Sequence, residues 1–190
     1  MRIEDDFLPE EFFKGLQYYC NKNDFRIVQA GDKFFSVLET PQEIVECIHE
    51  EGHELILSFI REAYDGFDND LNIHADGIIT TTVDDDVIHK KCAVAKVLYI
   101  NNTQGVTENG TSFWKHPLHG LELPEDVTNE EFDRMLTEDA NNLDLWEQTG
   151  YVKSKPNRLL TYNSNTFHSK WPKNIDHGRR VVLVAFYSKK

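Results

Sequence analysis

His74 and Asp76 stand two positions apart in Asn72-Ile73-His74-Ala75-Asp76-Gly77. In extended chain, residues i and i+2 project from the same face. An imidazole nitrogen and a carboxylate oxygen are thus delivered together and fit two neighbouring positions on one metal ion. A third donor, His168, lies far along the chain in Thr166-Phe167-His168-Ser169-Lys170-Trp171-Pro172. Two imidazoles and one carboxylate leave about three of six positions open, the ligand set associated with iron(II) oxygenases. Zinc accepts the same donors, so the set alone does not choose the metal. Arg180 follows His168 and opens the apolar run VVLVAFY. A charge beside such a run must be paired or exposed. A guanidinium grips a carboxylate with two parallel bonds, so an anionic ligand beside the metal accounts for Arg180. Arg179 points to the opposite face and is expected to meet water.

Two other histidine pairs compete. Ile48-His49-Glu50-Glu51-Gly52-His53 contains HExxH, which on a helix puts two zinc-binding histidines on one face with a glutamate as general base. Here glycine sits inside the motif, no second glutamate-bearing helix follows at the usual distance, and the metzincin continuation is absent. A zinc peptidase through His49 and His53 is therefore the lesser alternative, and the two histidines are expected at the surface. His116 and His119 flank Pro117, which disfavours a regular helix; they read as loop histidines near the end of a strand, and His89 and His177 likewise. Asp84-Asp85-Asp86 reads as a solvated hairpin tip.

The elements that must position these residues follow from periodicity. Pro9 opens a helix over about 9–22 with Phe12, Phe13, Leu16, Tyr19 and Cys20 as its apolar stripe. FRIVQ and FFSVL read as strands around a turn at Gly31 and Asp32. Pro41 opens a second helix to about Tyr64, with Ile44, Val45, Ile48, Leu55, Ile56, Phe59, Ile60 and Ala63 on one face and Gly52 weakening its middle. From Leu71 the pattern changes to short β-branched or aromatic runs: NIHADGIITTTV, CAVAKVLYIN, GTSFW, RLLTYN, TFHSKW and RRVVLVAFY. Between them Thr128 and Glu131 form a capping box that opens a helix with Phe132, Met135 and Leu136, inside an acidic insertion over residues 118–150. The order implies one α+β domain over 1–190: helices and strands in 1–70, then a core over 71–190, an antiparallel barrel or jelly roll with helices packed on one face.

The chain has 190 residues, enough for one domain with a substantial core. Hydrophobic residues make up 39%, which excludes a disordered chain, and no apolar run is long enough for a transmembrane helix. The segment MRIEDDFLPEEFF carries acids where a signal peptide would carry bases, so a cytoplasmic location is expected. Cys20, Cys47 and Cys92 form no CxxC, which argues against a disulfide framework or a cysteine zinc site. The net charge is −13, which argues against a general nucleic-acid binder. Yet Leu121–Gly150 holds ten acids and one base, whereas Tyr151–Lys190 holds nine bases and one acid. The cationic end is either a solvated face or a floor beneath an anionic co-substrate. No Walker loop, dinucleotide fingerprint or GxSxG elbow occurs.

The ordered set of His74, Asp76, His168 and Arg180 resembles the 2-oxoglutarate/Fe(II)-dependent dioxygenase superfamily, especially its prolyl-hydroxylase-like and phytanoyl-hydroxylase-like members. VLYINN, NGTSFW, TYNSNTFHSKWP and GRRVVLVAFY resemble the family's tyrosine-containing strand, its Gly-Thr-aromatic strand, the turn before the distal histidine and the Gly-x-Arg strand; the last register selects Arg180. The resemblance covers about residues 70–190. It implies a double-stranded β-helix (a cupin-like jelly roll) with a helical insertion. It also implies Fe(II) on His74, Asp76 and His168, 2-oxoglutarate as co-substrate with Arg180 on its far carboxylate, and O2 as oxidant. Tyr99 either donates a hydrogen bond to that carboxylate or packs in the core. A carboxylate at position 76 favours hydroxylation over halogenation. A cupin-like binding module without catalysis is the alternative, and Arg180 argues against it. The substrate, a small molecule or a peptide, and the oligomeric state are not specified by the sequence.

Overall fold

The computed structural model describes residues 1–30, 33–68, 70–83, 86–101, 109–175 and 178–190. Strand β1 (Arg2–Glu4) and helix α1 (Glu10–Lys22) lead into β2 (Arg26–Ala30), β3 (Lys33–Glu39), the short helix α2 (Gln42–Cys47) and the long strand β4 (His53–Tyr64). Strands β5 (Ile78–Val83), β6 (Asp86–Lys91), β7 (Val94–Tyr99) and β8 (Gly110–Lys115) follow. Helix α3 (Asn129–Arg134) runs into a π-turn at Met135–Asp139 and a 3-10 turn at Leu143–Leu145. Strands β9 (Glu147–Lys153), β10 (Arg158–Asn163), β11 (His168–Trp171) and β12 (Arg179–Lys189) complete the chain.

The molecule is mostly antiparallel sheet. Seven strands run in the order β1-β10-β7-β12-β4-β3-β2, three in the order β11-β8-β9, and β5 pairs with β6. Alternation along β12 shows how the layers are built. Val181, Leu183, Ala185 and Tyr187 join Phe13, Leu16 and Cys20 of α1 and Ile44 and Ile48 in one apolar cluster. Val182, with Val184 and Phe186 packed against its group, joins Val97, Tyr99, Phe113, Val152, Leu160 and Tyr162 in a second cluster. This one joins β7, β10 and β12 of the large sheet to β8 and β9 of the small one. Two-residue periodicity sends successive side chains to opposite layers. Arg180 therefore falls on the inter-sheet face, while Arg179 turns out to Glu62 at 3.1 Å and Asn21 at 2.6 Å. The expectation that Arg179 simply meets water is corrected: it is half-buried in polar contacts.

The expected helix over 41–64 is also corrected. Only Gln42–Cys47 is helical, and His53–Tyr64 is a strand paired with β12 along its length, from Tyr64↔Arg179 to His53↔Lys189. Gly52 adopts φ +75°, a conformation that ends a helix and that glycine takes readily. A strand covered on both faces reads as a nearly continuous apolar run, and such a run also fits a helical stripe. The capping box at Thr128 is present, with Glu131 N donating to Thr128 Oγ1 and Thr128 N donating to Glu131 Oε2. The turn at Gly31 and Asp32, the tip at Asp84 and Asp85, and His177 lie outside the described residues.

Candidate metal centre

The strand expected from Asn72 starts only at Ile78; the residues before it form one isolated bridge, at His74, and the burial of the odd residues decides their orientation. Leu71, Ile73 and Ala75 are buried among Trp114, Trp146, Met135 and Phe167. His74 and Asp76 consequently face the other way. The segment is tied to β11 by an isolated bridge: His74 N donates to His168 O at 3.0 Å, and His168 N donates to His74 O at 2.9 Å. Asp76 N donates to Ser164 O at 2.7 Å. The acidic insertion holds the outer side, with Ile73 N on Ala140 O at 2.8 Å and Asn72 N on Asn141 Oδ1 at 3.0 Å. Residues 118–150 therefore buttress both histidine-bearing segments, since Phe167 N also donates to Leu121 O at 3.1 Å.

Three donors meet as a result. His74 Nε2 lies 3.4 Å from Asp76 Oδ1, and His168 Nε2 lies 3.2 Å from Asp76 Oδ2. Two ligands about 2.1 Å from one ion at right angles are ~3 Å apart, so the spacing suits a shared metal. The ring orientations suit it as well. His74 Nδ1 donates to Asn72 O at 2.6 Å and His168 Nδ1 to Thr166 O at 2.9 Å. Both rings then present Nε2 inward, the tautomer that a backbone carbonyl imposes on metal-ligating histidines. Neutral rings would aim lone pairs at the carboxylate, so protons or a cation must lie between them. Electrostatics carry the same message. Burial raises the Asp76 pKa, but the two imidazoles outweigh it and hold the carboxyl well below the usual range. Burial lowers the His74 pKa, and Asp76 reverses the balance and raises it. Among the described residues this is the one cluster of three or more His, Cys, Asp or Glu side chains with metal-binding spacing.

A cavity of about 90 Å³ opens beside the triad and is lined also by Arg180, Lys170, Thr111 and Tyr162. Arg180 is 7% exposed, and among the described residues its guanidinium has no carboxylate partner. One Nη2 bond, 3.4 Å long, reaches Gly110 O, and buried Nε has no partner among the described residues. Burial lowers its pKa. Gly110 lets β8 lie close against β9, because a Cβ there would stand 2.1 Å from Val152 O. Tyr99 is fully buried with its ring 5.8 Å from the Arg180 guanidinium. Its hydroxyl shares a 2.7 Å hydrogen bond with Thr111 Oγ1 and reaches Val152 O at 3.4 Å. Tyr99 thus stands behind Thr111 rather than in the cavity wall. Thr111, Tyr162 and Lys170 were not singled out in sequence. Lys170 had a usable signal, its place two residues after His168 on the same strand face. Tyr162 packs edge-on against His168 at 4.8 Å.

The rival histidines go elsewhere. HExxH straddles a turn between α2 and β4, and Glu50 is held by Lys96 Nζ at 2.7 Å and Arg2 at 3.1 Å. Lys96, itself buried, also caps α2 through Ile48 O and His49 O. Glu50 is therefore a structural partner and not a free base. His116, expected as an ordinary loop histidine, is buried. Its Nδ1 accepts from Leu118 N and His119 N, and its Nε2 lies 3.4 Å from Asp139 Oδ2. Burial pushes its pKa down, and it braces the insertion against β8.

Residues 79–180 match a family of unknown function, DUF6445. The chain belongs to that family. The matched stretch includes His168 and Arg180 and begins just after His74 and Asp76. None of the curated proteins compared matches. Among solved structures, the chain is similar to the carbocyclase SnoK from nogalamycin biosynthesis, a non-haem alpha-ketoglutarate-dependent enzyme. The TM-score is 0.64 at 13% identity, covering 97% of this chain and 78% of that one. It is similar to HygX from Streptomyces hygroscopicus, solved with nickel, 2-oxoglutarate and hygromycin B bound. There the TM-score is 0.58 at 10% identity, covering 99% and 82%. A truncated viral collagen prolyl hydroxylase from Paramecium Bursaria Chlorella virus-1 gives a TM-score of 0.54 at 11% identity, covering 98% and 87%. The DUF6445 chain thus shares its fold with 2-oxoglutarate-dependent enzymes.

Proposed function

We propose that this DUF6445 protein is a non-haem iron(II) oxygenase that couples oxidative decarboxylation of 2-oxoglutarate by O2 to hydroxylation of a small molecule or peptide. The observation that carries the reading is the shared cavity: a His-Asp-His set at one side and, at the other, a buried arginine with an unpartnered Nε. The residues fit both groups. Two imidazoles and one carboxylate suit iron(II) and leave positions open. An uncompensated buried guanidinium calls for an anion. In the same reading the sheets form a double-stranded β-helix with the N-terminal helices on one face, and the protein works in the cytoplasm.

Bound iron(II) supplies the O2 chemistry, which side chains cannot provide. The chain's own residues do the rest. His74, Asp76 and His168 would hold the metal. Carbonyls Asn72 O and Thr166 O fix their tautomers. Arg180 would orient the co-substrate by its far carboxylate. Phe59, Val184 and Phe186 line the cavity's apolar wall and would keep water from the reacting carbon. Tyr99 would act indirectly, by holding Thr111.

Succinate formation tests this. With iron(II), 2-oxoglutarate and air, the wild-type protein is expected to release succinate slowly even without substrate, and Asp76→Ala is expected to release none. Metal binding with no succinate under any substrate screened would favour the cupin-like binding module instead. No helix among the described residues is long and apolar enough to cross a membrane.

A further inference from the structure

The cavity beside the triad is about 90 Å³, whereas sites that enclose a small molecule run to about 300–1,000 Å³. It cannot take a substrate together with a co-substrate, so the body of the substrate must rest outside it. Two grooves lie beside it. One is about 880 Å³ and the other about 330 Å³, and Lys91, Glu125 and Asn165 line both. A metal ligand is close behind their junction. Asn165 Oδ1 would stand 2.6 Å from a Cβ on Gly77, the neighbour of Asp76, and Cys92 N donates to Gly77 O at 2.9 Å. Tyr162 lines both the larger groove and the metal cavity, and its ring packs on His168.

The two grooves differ in chemistry. Ile78, Leu123, Pro124, Val127 and Phe132 give the smaller one an apolar wall, and Ile78 is 60% exposed. The larger carries Arg2, Lys90, Lys91 and Lys189 against two acids, Glu54 and Glu125, on a chain whose net charge is −13. Glu125 is taken by Lys91 at 3.3 Å, and Arg2 by Glu4 and Glu50 at 2.9 and 3.1 Å. Lys189 stands opposite His53 across β4 and β12, so Glu54 projects from the other face. Among the described residues neither Lys90 nor Lys189 has a carboxylate within ion-pairing distance, and buried Thr161 Oγ1, on the same groove, has no partner. Ile78 and Lys91 face each other across the β5–β6 pair, so the apolar wall runs directly into the cationic one. We infer that the substrate is a small amphipathic anion, with an apolar body against Leu123 and Phe132 and a carboxylate or phosphate over Lys90 and Lys189. This rests on the oxygenase reading above and adds a substrate class to it. The cations draw an anion to this face of an otherwise acidic protein, and the apolar wall, whose attraction is non-directional, holds the body of the molecule beside the metal.

The test uses 8-anilinonaphthalene-1-sulfonate, an apolar ring system with an anionic group, as a fluorescent reporter on the wild-type protein. Octyl phosphate and octanoate are expected to displace it at about tenfold lower concentration than octanol does, and octylammonium not at all; the tighter of the two anions identifies the head group. The double variant Lys90→Glu, Lys189→Glu is expected to lose about tenfold for the octyl anions and to keep its affinity for octanol. Phe132→Ser is expected to weaken all three. Octanol displacing as well as the anions in wild type would overturn the inference, and so would unchanged anion affinity in the double variant. Succinate release from the iron(II) protein with 2-oxoglutarate is read separately. Anion-selective displacement with no succinate would sink the oxygenase reading and with it the substrate role of the groove, whereas succinate release with no preference for the anions would sink the inference alone.

Discussion

Replacing Arg180 with methionine should make the protein more stable and less able to bind its co-substrate. Arg180 is buried with Nε unpartnered among the described residues, and its hydrogen bond to Gly110 O is long, at 3.4 Å. An unsatisfied buried polar group costs about 1–3 kcal/mol. Methionine keeps the stem and fills the space beside Tyr99 and Val182 without a charge. For a domain of this size each kcal/mol moves Tm by about 2–4 °C. The ligand-free variant should therefore melt roughly 4 °C above wild type. Binding should move the other way. Two charge-assisted bonds to the far carboxylate, at about 1.5 kcal/mol each, amount to ~3 kcal/mol, or about 150-fold in Kd. Thermal melts without ligand and anaerobic 2-oxoglutarate titrations of the iron(II) protein measure both. A lower Tm, or an unchanged Kd, would refute the reasoning that Arg180 is held uncompensated for an anion.

Other outcomes follow from the same structure. Cys47 is exposed, whereas Cys20 and Cys92 are buried and burial pushes the Cys20 thiol up to about 11; a thiol reagent at neutral pH should therefore modify one cysteine in the native protein and three after denaturation. Glu50→Gln should lower unfolding stability by about 1–3 kcal/mol, because it strips the buried Lys96 of its carboxylate, and His49→Ala should leave metal affinity unchanged; loss of metal in either variant by equilibrium dialysis would revive the peptidase motif. Nickel(II) at 100 times its Kd should stabilise the wild-type protein by about 2.7 kcal/mol, and His168→Ala should abolish that shift in thermal melts.

The triad and Arg180 were legible because strand periodicity is short and exact. The i, i+2 spacing of His74 and Asp76 and the parity of Arg179 against Arg180 both translate directly into facing. What the periodicity could not show was long-range pairing. β4 looked helical since its faces are both covered, and only its register with β12 reveals a strand. β1 and β9 lacked a sequence signal because their residues are largely exposed and polar. For Tyr99 the sequence left a co-substrate contact and core packing both open; it is buried with its hydroxyl on Thr111 Oγ1, and Thr111 is the one that lines the cavity, which depends on how β7 and β8 pack. Lys170 was visible in the string yet unassigned, because a lysine two residues beyond His168 is ordinary until the cavity that both line is seen. His116 shows the opposite error: a histidine in a Pro-containing loop turned out to be a buried brace.

In the proposed function His74, Asp76 and His168 hold iron(II) with open positions that 2-oxoglutarate can chelate. Anaerobic iron(II) followed by 2-oxoglutarate tests it most directly, read as the weak visible metal-to-ligand band. A band is expected in wild type that saturates with one equivalent of iron and is absent in Asp76→Ala. A wild-type protein that binds iron(II) yet shows no band with saturating 2-oxoglutarate would contradict it.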